Sequence, residues 1–151
     1  MRIVIGSDHA GFRLKEALKE CLPALGHEAV DFGCADETSV DYPDIALPLA
    51  EAVASGTHDL GVLICSNGVG MSIAANKVPS VRAALCHDTF AARRSREHTN
   101  ANVLCLGASC LGRGTAQDVL EAFLSGQFQS GRHARRIEKI QALEERREPV
   151  S

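Results

Sequence analysis

The sequence predicts an α/β domain built on a doubly wound sheet of five mostly parallel strands, and three observations carry that prediction. Apolar runs of strand length recur at residues 3–6, 28–32, 61–64, 82–86 and 103–106. Each run is followed by a turn and then by a segment with helical spacing, the rhythm of βαβ units. The runs are apolar on both faces, which calls for helices on both sides of the sheet and right-handed crossovers. The 151-residue length suits one domain of ordinary size.

After the first strand, Leu14, Leu18, Cys21, Leu22 and Leu25 share one helical face, while Lys15, Glu16, Lys19 and Glu20 are expected to face water. Pro43 opens the second helix ahead of Ile45, Leu49, Ala52 and Val53, and Gly56 closes it. Past the third strand a helix starts within residues 71–76. Residues 114–128 read as a helix after the last strand, and the basic segment Gly131 to Arg136 leads into a C-terminal helix through about Leu143. Residues 144–151 read as a frayed tail, so the domain is expected to span 1–143. No internal repeat, low-complexity linker or composition break supports a second domain.

Sixteen Lys and Arg against nineteen Asp and Glu give a formal charge of -3, which offers no field for nucleic acid or an acidic membrane. The expected partner is a small molecule. No basic leader with an apolar stretch opens the chain, and no apolar run approaches the roughly 20 residues of a membrane span, so a cytoplasmic address is expected. The six cysteines, Cys21, Cys34, Cys65, Cys86, Cys105 and Cys110, are scattered and read as reduced thiols. Cys86 and Cys105 fall in strands, where a thiol serves as a small hydrophobe.

The chemistry concentrates in Ile64 to Ser72, where an apolar strand ends in Cys65 and a turn bearing Gly68 and Gly70. A thiolate removes a proton or attacks a carbon, and N–H groups fixed by such a turn stabilise an oxyanion formed beside it. A helix starting at the turn would also lower the thiol pKa from its free value of ~8.5. Open α/β sheets bind ligands beyond the carboxyl ends of their strands. Three polar groups are expected there: Ser7, Asp8 and His9; Cys65 to Ser72; and His98 with Asn100 and Asn102. His98 is the candidate proton shuttle in the last group. His27, His58 and His87 are expected at the surface or at helix ends, and His133 is ambiguous.

Other readings of these motifs fail on particular residues. The segment Gly6 to Gly11 lacks the middle glycine of a dinucleotide fingerprint, since Asp8 stands there. A cysteine-phosphatase loop would carry an arginine six positions after Cys65, where Met71 stands. The Cys and His residues form no paired zinc spacing, so no metal is expected. Arg132, Arg135 and Arg136 are either helix-end charge or, in a dimer, residues that reach a neighbour's site and hold a phosphate.

Five ordered motifs carry a resemblance: Gly6 to Gly11, Val40 to Asp44, Gly70 to Lys77, Ser95 to His98, and Gly131 to His133. Through about Ile140 the chain resembles the type B ribose-5-phosphate isomerases, a family that also includes galactose-6-phosphate isomerase subunits and enzymes acting on allose 6-phosphate. The resemblance implies a flavodoxin-like sheet and a metal-free, cofactor-free aldose–ketose isomerase, working as a homodimer or homotetramer with sites shared between subunits. It makes Cys65 the base that moves a proton between C1 and C2 through an enediolate, and His98 the residue assisting ring opening. Asp8 and Tyr42 would contact the sugar, and His9, Arg132 and Arg136 would hold the phosphate. The backbone of Gly68, Val69, Gly70, Met71 and Ser72 would stabilise the enediolate oxygen, with Ser66, Asn67 and Asn100 also at the substrate. A branch of the family uses a glutamate base where Met71 stands, so Cys65 with Met71 places the chain in the cysteine branch.

Departures from the family pattern are Ser66-Asn67-Gly68 in place of glycine-threonine-glycine, Thr99 after the histidine, and Ser109 in place of an arginine, with compensation by Arg113, four residues further on, left open by the sequence. Thiol redox chemistry at Cys65 and a sugar-phosphate binding module without turnover are the competing readings.

Overall fold

In a computed structural model that describes residues 1–146, the chain runs β1 (Arg2–Ser7), a 3-10 turn (His9–Gly11), α1 (Phe12–Ala24), β2 (Glu28–Asp31), α2 (Tyr42–Ala54), β3 (Leu60–Cys65) and α3 (Val69–Ala75). It continues through β4 (Ala83–Leu85), α4 (Thr89–Thr99), β5 (Val103–Gly107), α5 (Arg113–Ser125) and α6 (Arg132–Glu145). All five strands are parallel in the order β2-β1-β3-β5-β4.

Burial explains that order. β3 and β5 are buried end to end, as is β1 beyond Arg2, and they occupy the centre. β2 and the three-residue β4 are partly exposed and form the edges. The flavodoxin arrangement shares β2-β1-β3, but here the last two strands are exchanged, so the fully apolar β5 lies between β3 and β4.

The sheet has an apolar layer on each face. One carries Leu14, Leu18 and Leu22 of α1, Ala92 of α4 and Phe123 of α5 over Ile3, Ile5, Val62 and Leu104. The other carries Leu49 and Val53 of α2 and Met71 of α3 over Val4, Leu63 and Val103. Each large side chain so buried contributes about 1.5–3 kcal/mol. Local signals act as expected at α2, where Asp41 is the N-cap and Pro43 lies in the first turn, and Gly56 follows the helix at φ +75°.

Four expectations need correction. Lys15 does not face water: its side chain is 1% exposed, and its ammonium lies 2.6 Å from Asp31 and 2.8 Å from Glu16. Lys19 contacts the same two carboxylates at 2.7 Å each. The pairs lower the pKa of Glu16; at Asp31, burial works upward but hydrogen bonds from Lys15, Lys19 and the Gly33 N–H outweigh it. His58 is buried and meets the Phe32 ring edge-on at 5.5 Å. Helix α5 stops at Ser125 rather than 128, because Gly126 turns extended where a Cβ would come within 2.6 Å of the Arg96 Cβ. Helix α6 continues through Glu145, past Leu143; of the tail expected to fray, residues 147–151 lie outside the described residues.

Candidate active site

The end of β3 sets the first half of the site. Cys65 is 5% exposed, and its Sγ accepts a hydrogen bond from the Gly68 N–H at 3.2 Å. Gly68 has φ +76°, and a Cβ there would stand 2.9 Å from the Leu106 carbonyl carbon, so only glycine lets the chain reverse at this point. Asn67 Oδ1 accepts from the Val69 N–H at 3.0 Å, and the Ser66 carbonyl accepts from the Ser109 N–H at 2.8 Å. Ser72 is turned back, its N–H donating to the Gly68 carbonyl and its hydroxyl to the Val69 carbonyl. Helix geometry leaves the first-turn N–H groups of Gly70 and Met71 without a partner inside α3.

Asp8 and His9 follow β1 beside this turn. Asp8 is 7% exposed; its Oδ1 accepts from the N–H groups of Ala10 and Gly11 at 3.0 and 3.2 Å, which leaves Oδ2 for a ligand. The Asp8 N–H donates to the Ile64 carbonyl, locking this loop to β3. His9 Nδ1 accepts from the Val40 N–H at 3.3 Å, which fixes the tautomer with Nε2 as donor. Tyr42 opens α2 and lays its ring on Gly70, where a Cβ would stand 2.7 Å from Cζ.

His98, Asn100 and Asn102 are not at this end of the sheet. They precede β5, and the start of a parallel strand lies at the amino edge; Gly61 pairs with Val103 there while Cys65 pairs with Gly107 at the other edge. Four strand steps of about 3.3 Å, roughly 13 Å, separate the two edges. Asn100 ends α4 at φ +47°, its carbonyl accepting from Arg82 Nε and its Oδ1 from Arg96 Nη1. Asn102 braces the start of β4, accepting from the Arg82 N–H and donating to the Ser80 carbonyl. Thr99 donates back to the Ser95 carbonyl.

The amino edge gathers its own group. The rings of His98 and His133 stack with centroids 4.1 Å apart and planes 8° from parallel. Arg132 and Arg136 stand one turn apart on α6, both exposed, on either side of the buried His133. Burial, then His98, Arg132, Arg136 and Arg94, hold the His133 pKa below the usual imidazole value. A hydrogen bond from the Gln129 N–H to the Glu97 carbonyl ties the segment before α6 to α4 and sets this stack. Sequence reasoning left His133 ambiguous; its place beside the arginines was the available signal. Arg113 pairs with Glu20 at 3.5 Å, away from Ser109.

Burial raises the pKa of Cys86 and Cys105, whereas Cys110 is exposed. Among the described residues no cluster of three or more His, Cys, Asp or Glu side chains is arranged to hold a metal, and no helix is long and apolar enough to cross a membrane.

The arrangement thus has two halves: a thiol, a carboxylate and free N–H groups at one edge, and imidazoles with arginines at the other. Residues 3–140 match the family model described as Ribose/Galactose Isomerase. The chain is 42% identical to the Escherichia coli ribose-5-phosphate isomerase B over 97% of this chain and 98% of that one. It is 41% identical to the D-erythrulose-4-phosphate isomerase of Pectobacterium atrosepticum, covering 93% of each. Its fold matches the Clostridium thermocellum ribose-5-phosphate isomerase B with a TM-score of 0.95 at 49% identity, covering 97% of this chain and 99% of that one. With the whole sheet and both edge groups inside the matched span, the chain belongs to the ribose/galactose isomerase family.

Proposed function

We propose that this isomerase interconverts ribose 5-phosphate and ribulose 5-phosphate through an enediolate, with Cys65 as the base, in a site completed by a second copy of the chain. The observation that carries the reading is the Cys65 Sγ, held by the Gly68 N–H beside Asp8 and the unpartnered N–H groups of Gly70 and Met71. Sγ takes the proton from C2 as the C1 oxygen gains one and the C2 oxygen gives one up, then returns its proton to C1. The Gly70 and Met71 N–H groups face the oxyanion of the enediolate, since the Gly68 N–H is engaged with the thiol. Asp8 Oδ2 and Tyr42 hold sugar hydroxyls.

The cationic half comes from the neighbouring subunit. Arg132 and Arg136, with His9 across the joint, hold the phosphate, and His98 gives a proton to the ring oxygen as the furanose opens. Within one chain these groups sit at opposite sheet edges, which is why a second copy is part of the reading. Asn67 Oδ1 is spent on the Val69 N–H, so its amide NH2 is what it offers a ligand where the family has a hydroxyl.

The test incubates wild type and Cys65→Ala with ribose 5-phosphate, without added metal, and follows ribulose 5-phosphate. Turnover by wild type alone supports the reading. A wild type inactive on this sugar but active on a four-carbon ketose phosphate, the substrate class named for the Pectobacterium relative, or on allose or galactose 6-phosphate would move the substrate and leave the chemistry. Binding without turnover of any of them would make the chain a sugar-phosphate binding module.

A further inference from the structure

One side chain at the amino edge has a geometry that the proposed chemistry does not use. Arg94 Nη1 lies 2.8 Å from Glu97 Oε2 and 3.4 Å from His98 Nε2, all three on α4. The guanidinium also lies over the Phe90 ring, 5.4 Å from its centroid. Glu97 and Phe90 thereby hold Arg94 while its Nη1 reaches the His98 Nε2.

Arginine only donates hydrogen bonds and stays protonated. An N–H on His98 Nε2 would point at a guanidinium N–H, so the arrangement requires Nε2 to be the acceptor. The ring proton of the neutral imidazole is then on Nδ1, because the bond made by one ring nitrogen decides the state of the other. His98 contacts Arg94 and the His133 ring, and the charged groups around that stack are Arg94 and Glu97 on α4 and Arg132 and Arg136 on α6. The only carboxylate in that set, Glu97, is occupied by Arg94.

We propose that Arg94 is a positioning residue that fixes the tautomer of His98, making Nδ1–H the group that serves ring opening. This rests on the role given to His98 above. The ring oxygen takes the Nδ1 proton as its bond to C1 breaks and the anomeric hydroxyl becomes the carbonyl. The proton released by that hydroxyl restores Nδ1, so the step is proton-neutral overall. Without Arg94 the imidazole is free to carry its proton on Nε2, and the donor points the wrong way.

The experiment reads the tautomer directly and activity separately. In ¹⁵N-histidine-labelled protein above the imidazole titration, with His98 assigned by its loss in His98→Asn, the wild type should show a protonated Nδ1 and an unprotonated Nε2. Arg94→Met should shift the proton toward Nε2, and Arg94→Lys, which keeps a donor, should restore the wild-type pattern. On ribose 5-phosphate, Arg94→Met should lower kcat about tenfold with KM within about twofold, as for a general acid kept but misoriented. A wild-type His98 protonated on Nε2, or an unchanged ¹⁵N pattern in Arg94→Met, overturns the proposal. A chain without isomerase activity overturns the functional reading instead, and the ¹⁵N pattern still decides the tautomer.

Discussion

The two edges of the sheet are built by different means. At the carboxyl edge, Cys65, Asp8 and Asn67 are each held by backbone N–H groups of the loop that carries them. The chemistry there is fixed by chain geometry. At the amino edge, His98, His133, Arg94, Arg132 and Arg136 project from two helices; the two imidazoles are held by stacking and Arg94 by its ion pair with Glu97. In the proposed reaction one edge offers a base and oxyanion donors, the other cations and an imidazole acid. Apart from His9, which stands with the thiol, the proposed base and the proposed phosphate grip are divided by where the strands begin and end.

The first way to break this comparison is to remove the proposed base. Cys65→Ala should lower kcat/KM by roughly 10³-fold, within the usual contribution of a positioned proton-transfer group, with an unchanged circular dichroism spectrum. Residual activity above a tenth of wild type would move the base elsewhere. The second test asks whether the halves come from different copies. Cys65→Ala and Arg132→Met, co-expressed with different tags, purified through both tags and assayed at substrate well below KM, should regain wild-type turnover at about half of the sites of a mixed dimer if each site draws on two chains, the other half carrying both substitutions. No recovery would mean that each chain works alone.

A smaller effect separates grip from chemistry. Arg132→Met should remove the proposed charge-assisted contact to phosphate, about 2 kcal/mol, so KM should rise roughly thirtyfold while kcat changes by less than about threefold. A fall in kcat with KM constant would assign Arg132 to the chemical step. Asp31→Asn should leave activity within about twofold but cost about 3 kcal/mol in urea unfolding, because it strips a partner from the buried Lys15. The sign with pH follows from the lowered carboxyl values of Asp31 and Glu16. A depressed native pKa gives stability that is present above the unfolded value near 4 and is lost as pH falls through the native value. Wild-type stability should therefore drop below about pH 5, and Asp31→Asn should flatten that drop.

The strands were legible because their burial is continuous: Val62, Leu63 and Ile64 leave no polar face to confuse period with length. Helix α4 left little trace, since only Ala92 is buried along its eleven residues and, apart from Phe90 and Ala91, the rest is charged or polar. Lys15 was misplaced because a charge on a helix normally marks solvent. It borders the stripe of Leu14 and Leu18, and only the return of the chain at β2 supplies Asp31 to neutralise it. The edge assignment of His98 was an error of direction: residues ahead of a parallel strand sit at its amino end. Cys65, Asp8 and the glycine turn were placed together because they follow strands that pair directly.

The loop after β5 bears on how the thiol is studied. A Cβ on Gly107 would lie 2.8 Å from the Asn67 Cα and 2.9 Å from the Cys110 Sγ, so the exposed Cys110 thiol flanks the turn that follows the buried Cys65. An alkylating or maleimide reagent meets Cys110 first, and its adduct stands at the mouth of the Cys65 turn. Inactivation by such a reagent therefore identifies neither thiol, whereas a Cys110→Ser background removes that adduct, and with the partly exposed Cys21 and Cys34 also replaced the same labelling reads Cys65.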